Sequence, residues 1–172
     1  RNNDARLVIE NIKRASQDGA FIASRVKAVG LLFDVEGQVI GVEAKDLLND
    51  TTFEIKARVV INTTGPWSDT IRQLDDQHQT AIMRPTKGVH LVVDESVIKV
   101  SQPTYFDSGE GDGRMIFVLP RENKTYFGTT DTDYNGDLAH PRVTQEDVDY
   151  LLRIVNRRYP KANVTLSDIE SS

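Results

Sequence analysis

Apolar residues near the start of the chain recur at helical spacing. They are Ala5, Val8, Ile9, Ile12 and Ala15, which fall on one face of a helix. Asp4 is suited to cap this helix, and Gly19 stands where a left-handed residue commonly ends one. Residues 20–26 follow as a short, mostly apolar run. The pattern therefore predicts an amphipathic helix followed by a buried strand.

Between residues 29 and 58 the pattern changes to short segments separated by turn residues. Glu36-Gly37 and Asn49-Asp50 mark the turns, and apolar and charged residues alternate strictly over residues 53–58. Alternation of this kind is typical of a strand with one face in solvent. We expect an antiparallel meander of three strands.

Residues 59–61 are continuously apolar, as in a strand that is covered on both faces. Thr63, Thr64 and Gly65 follow, and Pro66-Trp67 then opens a second predicted helix. A strand that ends this way presents backbone N–H groups at the sheet edge where α/β proteins bind nucleotides. The same residues are also typical of a plain strand-to-helix turn, which is the interpretation that they favour by themselves.

The second half of the chain contains four predicted strands, at residues 89–93, 104–106, 115–119 and 125–130. Thr144 and Asp147 form a capping box before apolar residues at helical spacing. Pro160 ends that pattern. We expect a mainly antiparallel sheet covered by a long helix.

These elements predict an α/β fold, with α+β character in the second half. Residues 1–67 are assigned to the rear part of a nucleotide-binding domain, and residues 68–172 to a sheet domain with a covering helix, truncated at its C-terminus. The chain begins at Arg1 rather than Met, and an apolar segment starts at Leu166, shortly before Ser172. We therefore expect an internal fragment of a longer protein.

Composition narrows the classes of function. Hydrophobic residues make up 38% of the chain and charged residues 27%, as in ordinary soluble globular proteins. A net charge of −5 without a basic block argues against a nucleic-acid partner. The absence of cysteine excludes disulfides and thiolate chemistry, and suits the reducing cytoplasm. No run approaches the ~20 apolar residues of a membrane span.

The densest polar cluster enters the strand predicted at residues 89–93. His90 alternates with Val89 and Leu91, and Arg84 and Lys87 precede it. A lone strand histidine is more often structural, but nearby cations favour a catalytic interpretation, since imidazole suits proton transfer near neutral pH. His78 and His140 lie in polar loops and are expected to be solvated.

Residues 131–136 superficially resemble the start of a calcium-binding loop, with Asp131, Asp133 and Gly136 at suitable positions. The residue that should close such a loop is Arg142 rather than Glu, and a predicted strand rather than a helix precedes it. We expect a turn stabilised by local Asp and Asn hydrogen bonds, and no metal.

Several collinear motifs make the chain recognisable. They are DARLV at 4–8, INTTGPW at 61–67, RPTKGVHLVV at 84–93, FGTTDTDY at 127–134 and the helix at 148–159. Together they closely resemble the FAD-dependent glycerol-3-phosphate oxidoreductases over essentially the whole chain. QPTYFD at 102–107 and RENKTY at 121–126 resemble the alpha-glycerophosphate oxidases of lactic-acid-type bacteria more than the respiratory dehydrogenases.

The resemblance implies a parent flavoenzyme that oxidises glycerol 3-phosphate to dihydroxyacetone phosphate. An oxidase would pass the electrons from FAD to oxygen, giving hydrogen peroxide, whereas a dehydrogenase would pass them to a quinone at the membrane surface. Two other functions are also compatible with the sequence. One is an amine or sugar-acid oxidase of the same superfamily, and the other is a binding module that has lost its cofactor.

The resemblance also implies positions for the site residues. Those on the cofactor are Arg25, Val26 and Lys27 beside the adenine, and Thr63, Thr64, Gly65 and Trp67 along the next strand end. Lys87 and His90 are the predicted catalytic residues and fall in the sheet that roofs the flavin ring. His90 acts on the substrate hydroxyl, and residues 129–131 support the sheet.

Two expected parts of the family pattern lie outside this chain. The resemblance implies a Gly-rich turn for the FAD pyrophosphate before Arg1, and phosphate-binding arginines and a lysine beyond Ser172. We therefore expect that the chain alone neither retains FAD nor turns over substrate.

Overall fold

The computed structural model describes residues 3–172 and divides into two compact units. The first ends at Ala81 and the second begins at Ile82. Residues 68–75, which the sequence analysis assigned to the second domain, lie in the first unit. The predicted α/β class, with antiparallel sheets and few helices, is confirmed. Within residues 3–172, no helix combines the length and apolar character needed to cross a membrane.

Helix α1 spans Asp4–Gln17, as the apolar periodicity predicted. Its N-cap is Asn3, one residue before the predicted cap, and the Asn3 side chain accepts a 3.0 Å hydrogen bond from the Arg6 amide. Gly19 lies in the left-handed region, with φ 94°. None of the α1 residues is buried, so its apolar stripe faces solvent in the described chain.

The predicted meander is confirmed. Strands β1 (Val26–Phe33), β2 (Val39–Asp46) and β3 (Thr51–Lys56) form an antiparallel sheet in sequence order. Ala28 pairs with Ala44, but Gly30 pairs with Glu43, so Val29 is an extra residue in β1. This is the arrangement of a β-bulge.

Two predicted buried strands are absent, and those predictions are wrong. Residues 20–25 are irregular, with Phe21 105% exposed, and strand β1 begins only at Val26. Residues 59–61 are also irregular, with Val59 72% and Ile61 77% exposed. A strand requires a hydrogen-bonded neighbour, and no segment of residues 3–172 pairs with either run.

The turn after residue 61 leads into a helix, as predicted. A 3₁₀ turn, Gly65–Trp67, continues directly into helix α2, Ser68–Asp75. The Asn62 side chain stabilises this turn with two hydrogen bonds. Its Nδ2 donates to the Ser68 carbonyl at 2.9 Å, and its Oδ1 accepts from the Thr64 amide at 3.2 Å.

The second unit is built on a five-stranded antiparallel sheet of order β10-β5-β8-β7-β6. Its strands are β5 (His90–Asp94), β6 (Thr104–Asp107), β7 (Met115–Arg121), β8 (Lys124–Gly128) and β10 (Ile169–Ser171). A short ladder pairs β4 (Thr86–Lys87) with β9 (Thr132–Asp133). A 3₁₀ turn, Leu166–Asp168, precedes β10. The four predicted strands are confirmed with small boundary shifts.

Helix α3 (Gln145–Arg158) packs on one face of this sheet, and the predicted capping box between Thr144 and Asp147 is present. The core between them is mostly apolar; its central members are Leu91, Val93, Ile116, Val118, Phe127, Leu151, Ile154 and Val155. Because side chains alternate across a strand, the residues between these positions point to the opposite face.

We call that opposite side the open face. His90, Gly128, Phe117 and Tyr105 form one row across it, because His90 pairs with Gly128, Gly128 with Phe117, and Phe117 with Tyr105. Tyr126 lies on the same face, two residues before Gly128. His90, Phe117 and Tyr105 are exposed.

Candidate functional site

A cavity of about 560 Å³ lies in the first unit, between β1 and α2. Its lining residues are Val26, Lys27, Ala28, Val29, Thr64, Trp67, Thr70, Ile71 and Leu74. Four of the residues predicted to contact the cofactor are therefore brought together: Val26, Lys27, Thr64 and Trp67. Arg25, Thr63 and Gly65 are not among the lining residues.

The chemistry of this lining suits one end of a dinucleotide. The lining residues are mostly apolar, with Trp67 among them, and Lys27, Thr64 and Thr70 are its charged and polar members. Ligand sites are commonly mostly apolar cavities of ~300–1,000 Å³ with a few polar groups. The residues present thus fit an aromatic base with an attached polar group.

Arg25 and Gly65 shape the backbone beside this cavity. Both are in the left-handed region, with φ 60° and 58°. The Arg25 carbonyl accepts a 2.9 Å hydrogen bond from the Leu47 amide, which closes the end of the β1–β2 pair. A non-glycine residue in this conformation costs ~1–2 kcal/mol, so the neighbouring structure must hold Arg25 there.

In the second unit, the open face combines one imidazole with several aromatic rings. The Tyr105 and Phe117 rings lie 4.4 Å apart between centroids. The His90 and Tyr126 rings meet edge to face, with centroids 5.9 Å apart. Between His90 and Phe117 lies Gly128, which carries no side chain and is buried. The open face thus presents aromatic rings next to a proton acceptor.

Partial burial lowers the pKa of His90 below its ordinary value. Desolvation has this effect because it disfavours the charged imidazolium. His90 therefore carries a neutral imidazole at neutral pH, which is the form that accepts a proton.

The structure places Lys87 in the interior rather than on the open face. Its ammonium group donates to the Asp147 carboxylate on α3 and, at 3.0 Å, to the Arg142 carbonyl. The two charged side chains are only 7% and 4% exposed. Desolvation would raise the pKa of Asp147, but hydrogen bonds from Lys87 and Thr144 outweigh it and lower the pKa. No local pattern in the sequence indicates this ion pair.

Thr130 fastens the backbone just before His90. Its hydroxyl accepts from the Val89 amide at 3.0 Å and donates to the Lys87 carbonyl at 3.2 Å. Thr130 is buried, while Asp131 is exposed. The Thr129 hydroxyl lies next to Gly88, where a Cβ atom would meet it at 2.6 Å. This segment supports the strand that carries His90.

No cluster of three His, Asp or Glu side chains able to hold a metal occurs among residues 3–172. Asp133 forms a two-point ion pair with Arg84, at 2.8 and 2.9 Å, rather than the local turn bonds that we expected of it. His78 is exposed, and His140 is 82% exposed and lies 3.0 Å from Asp137.

The chain is an α/β protein with a mostly apolar cavity in the first unit and a sheet with one open aromatic face in the second. The comparisons with known proteins make this more specific. A family model described as "DAO: FAD dependent oxidoreductase" matches residues 2–172. The chain belongs to this family of FAD-dependent oxidoreductases.

Several named relatives match the whole chain. The alpha-glycerophosphate oxidases of Streptococcus pneumoniae, Enterococcus casseliflavus and Lactococcus lactis are 74%, 68% and 60% identical to it over 173 aligned residues. The match covers 100% of this chain but only 28% of each relative. The chain thus spans just over a quarter of the length of these proteins.

Solved structures agree with the family assignment. The glycerol-3-phosphate dehydrogenase from Bacillus halodurans, solved with FAD, is 48% identical, with a TM-score of 0.91 over 99% of this chain and 34% of that one. L-proline dehydrogenase from P. horikoshii matches 84% of this chain and 36% of that one, at 14% identity and a TM-score of 0.51. The second likeness concerns the fold alone.

Proposed function

We propose that this chain is part of a flavoenzyme that oxidises sn-glycerol 3-phosphate to dihydroxyacetone phosphate, with oxygen as electron acceptor and hydrogen peroxide as second product. The observation that carries the proposal is the 74% identity, over the whole chain, to an alpha-glycerophosphate oxidase. In this proposal the first unit holds part of FAD, and the second supplies residues that act on the substrate.

In the first unit, the cavity formed by Val26, Lys27, Thr64 and Trp67 would take the adenine side of FAD. Its apolar walls would exclude water from the faces of the base. Lys27 supplies a positive charge at the cavity, which favours the phosphate-bearing side of a nucleotide. We propose that Arg25, Thr63 and Gly65 act through the backbone shape of this corner.

In the second unit, His90 would take the proton from the C2 hydroxyl of the substrate. Its position on the open face leaves the ring accessible, and its lowered pKa keeps it neutral before the reaction. FAD, when bound, supplies the acceptor for the hydride that leaves C2. Loss of the hydroxyl proton to His90 and of the C2 hydride to FAD would convert the secondary alcohol to a ketone.

Lys87 would act on this site indirectly, by stabilising the segment that leads to His90. Its ammonium group is occupied by Asp147 and the Arg142 carbonyl, and it lies three positions before His90 in the sequence. We propose that the ion pair fixes the segment from which β5 starts.

The test is anaerobic mixing of the full-length protein with glycerol 3-phosphate while the flavin absorbance is followed. We expect bleaching of the oxidised flavin, and about a hundredfold slower bleaching in His90→Ala, as is usual on loss of a general base. His78→Ala is the matched control, because His78 is an exposed loop histidine. Absence of bleaching by glycerol 3-phosphate in the wild-type protein would refute the proposed substrate.

A quinone-linked dehydrogenase is the second candidate, favoured by the likeness to the glycerol-3-phosphate dehydrogenase. Admission of oxygen to the reduced protein separates the two. Rapid reoxidation with one peroxide per flavin supports the oxidase. Slow reoxidation by oxygen, with fast reoxidation by a soluble quinone, supports the dehydrogenase. Reduction by glycine or sarcosine instead of glycerol 3-phosphate would indicate an amine oxidase.

A further inference from the structure

The imidazole of His90 stands beside a position at which a side chain cannot fit. Gly128 lies directly opposite His90 on the neighbouring strand. A Cβ atom at Gly128 would lie 2.8 Å from Cδ2 of His90 and 2.5 Å from the Val89 carbonyl oxygen. Gly128 is not in the left-handed region, so space rather than backbone conformation requires glycine here.

The other neighbour of the imidazole is the ring of Tyr126. The two rings meet at 68° with centroids 5.9 Å apart. Tyr126 pairs with Val92 and is therefore diagonal to His90 across the two strands, a distance that aromatic side chains bridge. Tyr126 is half-buried, so its own ring is held in place.

We infer that Tyr126, together with the side-chain-free position at Gly128, positions the His90 imidazole for proton transfer. This inference rests on the proposed function. The Tyr126 ring limits rotation of the imidazole and excludes water from one side of it, while the absence of a side chain at Gly128 lets the imidazole lie against the neighbouring strand. Orientation of a reacting group to within about an ångström strongly affects rate.

Charged groups near His90 have other partners. On the open face of β5 and β8, Asp94 and Lys124 bond to each other at 3.0 Å, and Glu170 of β10 bonds to Lys124 at 2.7 Å. Lys87 is directed to Asp147. On β7, the residue in the same row as His90 is the uncharged Phe117. Arg121 of β7 lies opposite Lys124, beside the Asp94, Lys124 and Glu170 cluster and away from His90. Desolvation is accordingly the cause that lowers the pKa of His90.

The test uses Tyr126→Leu and Tyr126→Phe in the full-length enzyme. For each, the rate constant of anaerobic flavin reduction by glycerol 3-phosphate is measured from pH 5.5 to 9. For Tyr126→Leu we expect about a fivefold lower limiting rate constant of flavin reduction, with little change in the substrate concentration that gives half of that rate. The acid limb of the pH profile, where the rate falls as the pH is lowered, should move up toward about pH 6.5, the ordinary histidine value. Tyr126→Phe keeps the ring and should retain the wild-type limb and rate.

Tyr159→Leu is the matched control. It removes a tyrosine ring that meets Phe106 at 72° and 6.2 Å, on the face of the sheet that packs against α3. It should leave the acid limb of the pH profile in place. Gly128→Ala is a further arm, in which displacement of the imidazole should lower the reduction rate even where FAD content is normal.

An unchanged rate and acid limb in Tyr126→Leu would overturn the inference. So would a Tyr126→Phe enzyme with the defect of Tyr126→Leu, because that result would assign the effect to the hydroxyl rather than to the ring. Failure of the proposed function looks different: wild-type flavin would not be reduced, or His90→Ala would be reduced at the wild-type rate.

Discussion

The ammonium group of Lys87 bonds to the carboxylate of Asp147 in the interior of the second unit. This contact joins strand β4 to the first turn of helix α3, across 60 positions of sequence. Asp147 also accepts from the amide and hydroxyl of Thr144, at 2.8 and 2.9 Å. One carboxylate therefore both caps the helix and neutralises a buried lysine.

Replacement of Asp147 by Asn should strongly destabilise the second unit. The change leaves the Lys87 ammonium buried without its counter-ion, which costs about 3–5 kcal/mol. Urea unfolding of the full-length protein measures the loss. Asp133→Asn, which breaks the exposed pair with Arg84, is the control and should leave the midpoint nearly unchanged. Equal effects of the two substitutions would show that burial of the pair is unimportant.

The stability contributed by Asp112 should disappear in acid. Desolvation would raise the pKa of Asp112, but hydrogen bonds from Ser108, Tyr150 and the Arg114 amide outweigh it and lower the pKa to about 2. Because the folded pKa lies below the ordinary 3.8, the contribution is complete above that value and is lost as the pH falls toward 2. The urea midpoint of Asp112→Asn should lie below that of the wild type at pH 6, and the gap should narrow below pH 4. A gap that does not change with pH would contradict this account.

Loss of the Trp67 ring should weaken FAD binding. Trp67 lines the cavity of the first unit, and removal of a large aromatic wall should reduce affinity about tenfold, equivalent to ~1.4 kcal/mol. Titration of the full-length apoprotein with FAD gives the Kd for Trp67→Ala. Phe53→Ala is the matched control, because Phe53 is 43% exposed and Trp67 44%, but Phe53 is not among the cavity residues. Equal Kd values in the two variants would place the cofactor elsewhere.

The 172-residue chain by itself should not retain FAD. It spans 28% of the length of its named relatives, and its cavity of about 560 Å³ accommodates only one end of a dinucleotide. The absorbance spectrum of the purified chain tests this. A visible flavin band with one FAD per chain would show that these residues are sufficient for binding.

Local sequence signals predicted the elements that are stabilised locally. The meander follows from turn residues such as Gly37 and from strict alternation, and helix α3 follows from the capping box at Thr144. The strands predicted at residues 20–26 and 59–61 were wrong for a shared reason. A continuous apolar run is typical of a strand covered on both faces, but strand formation depends on a neighbouring strand that the run does not encode.

Polar contacts between residues far apart in the sequence also could not be predicted from local sequence patterns. Lysine and aspartate are usually solvated, so nothing near Lys87 or Asp147 indicates that they pair in the interior. The cavity residues Val26 and Trp67 were predicted together only through the family resemblance. The close approach of His90 to Gly128 could not be predicted without the strand register, which sets the two residues opposite each other.

The extra residue Val29 in β1 has a consequence for the wall of the first-unit cavity. Residues 26–28 pair in regular register with β2, and the bulge comes directly after them, at Val29, which also lines the cavity. A bulge bends its strand and re-aims the side chain at that position. Deletion of Val29 would remove this residue from the wall and straighten β1 there, so an irregularity in the ladder contributes to the concave shape of the cavity.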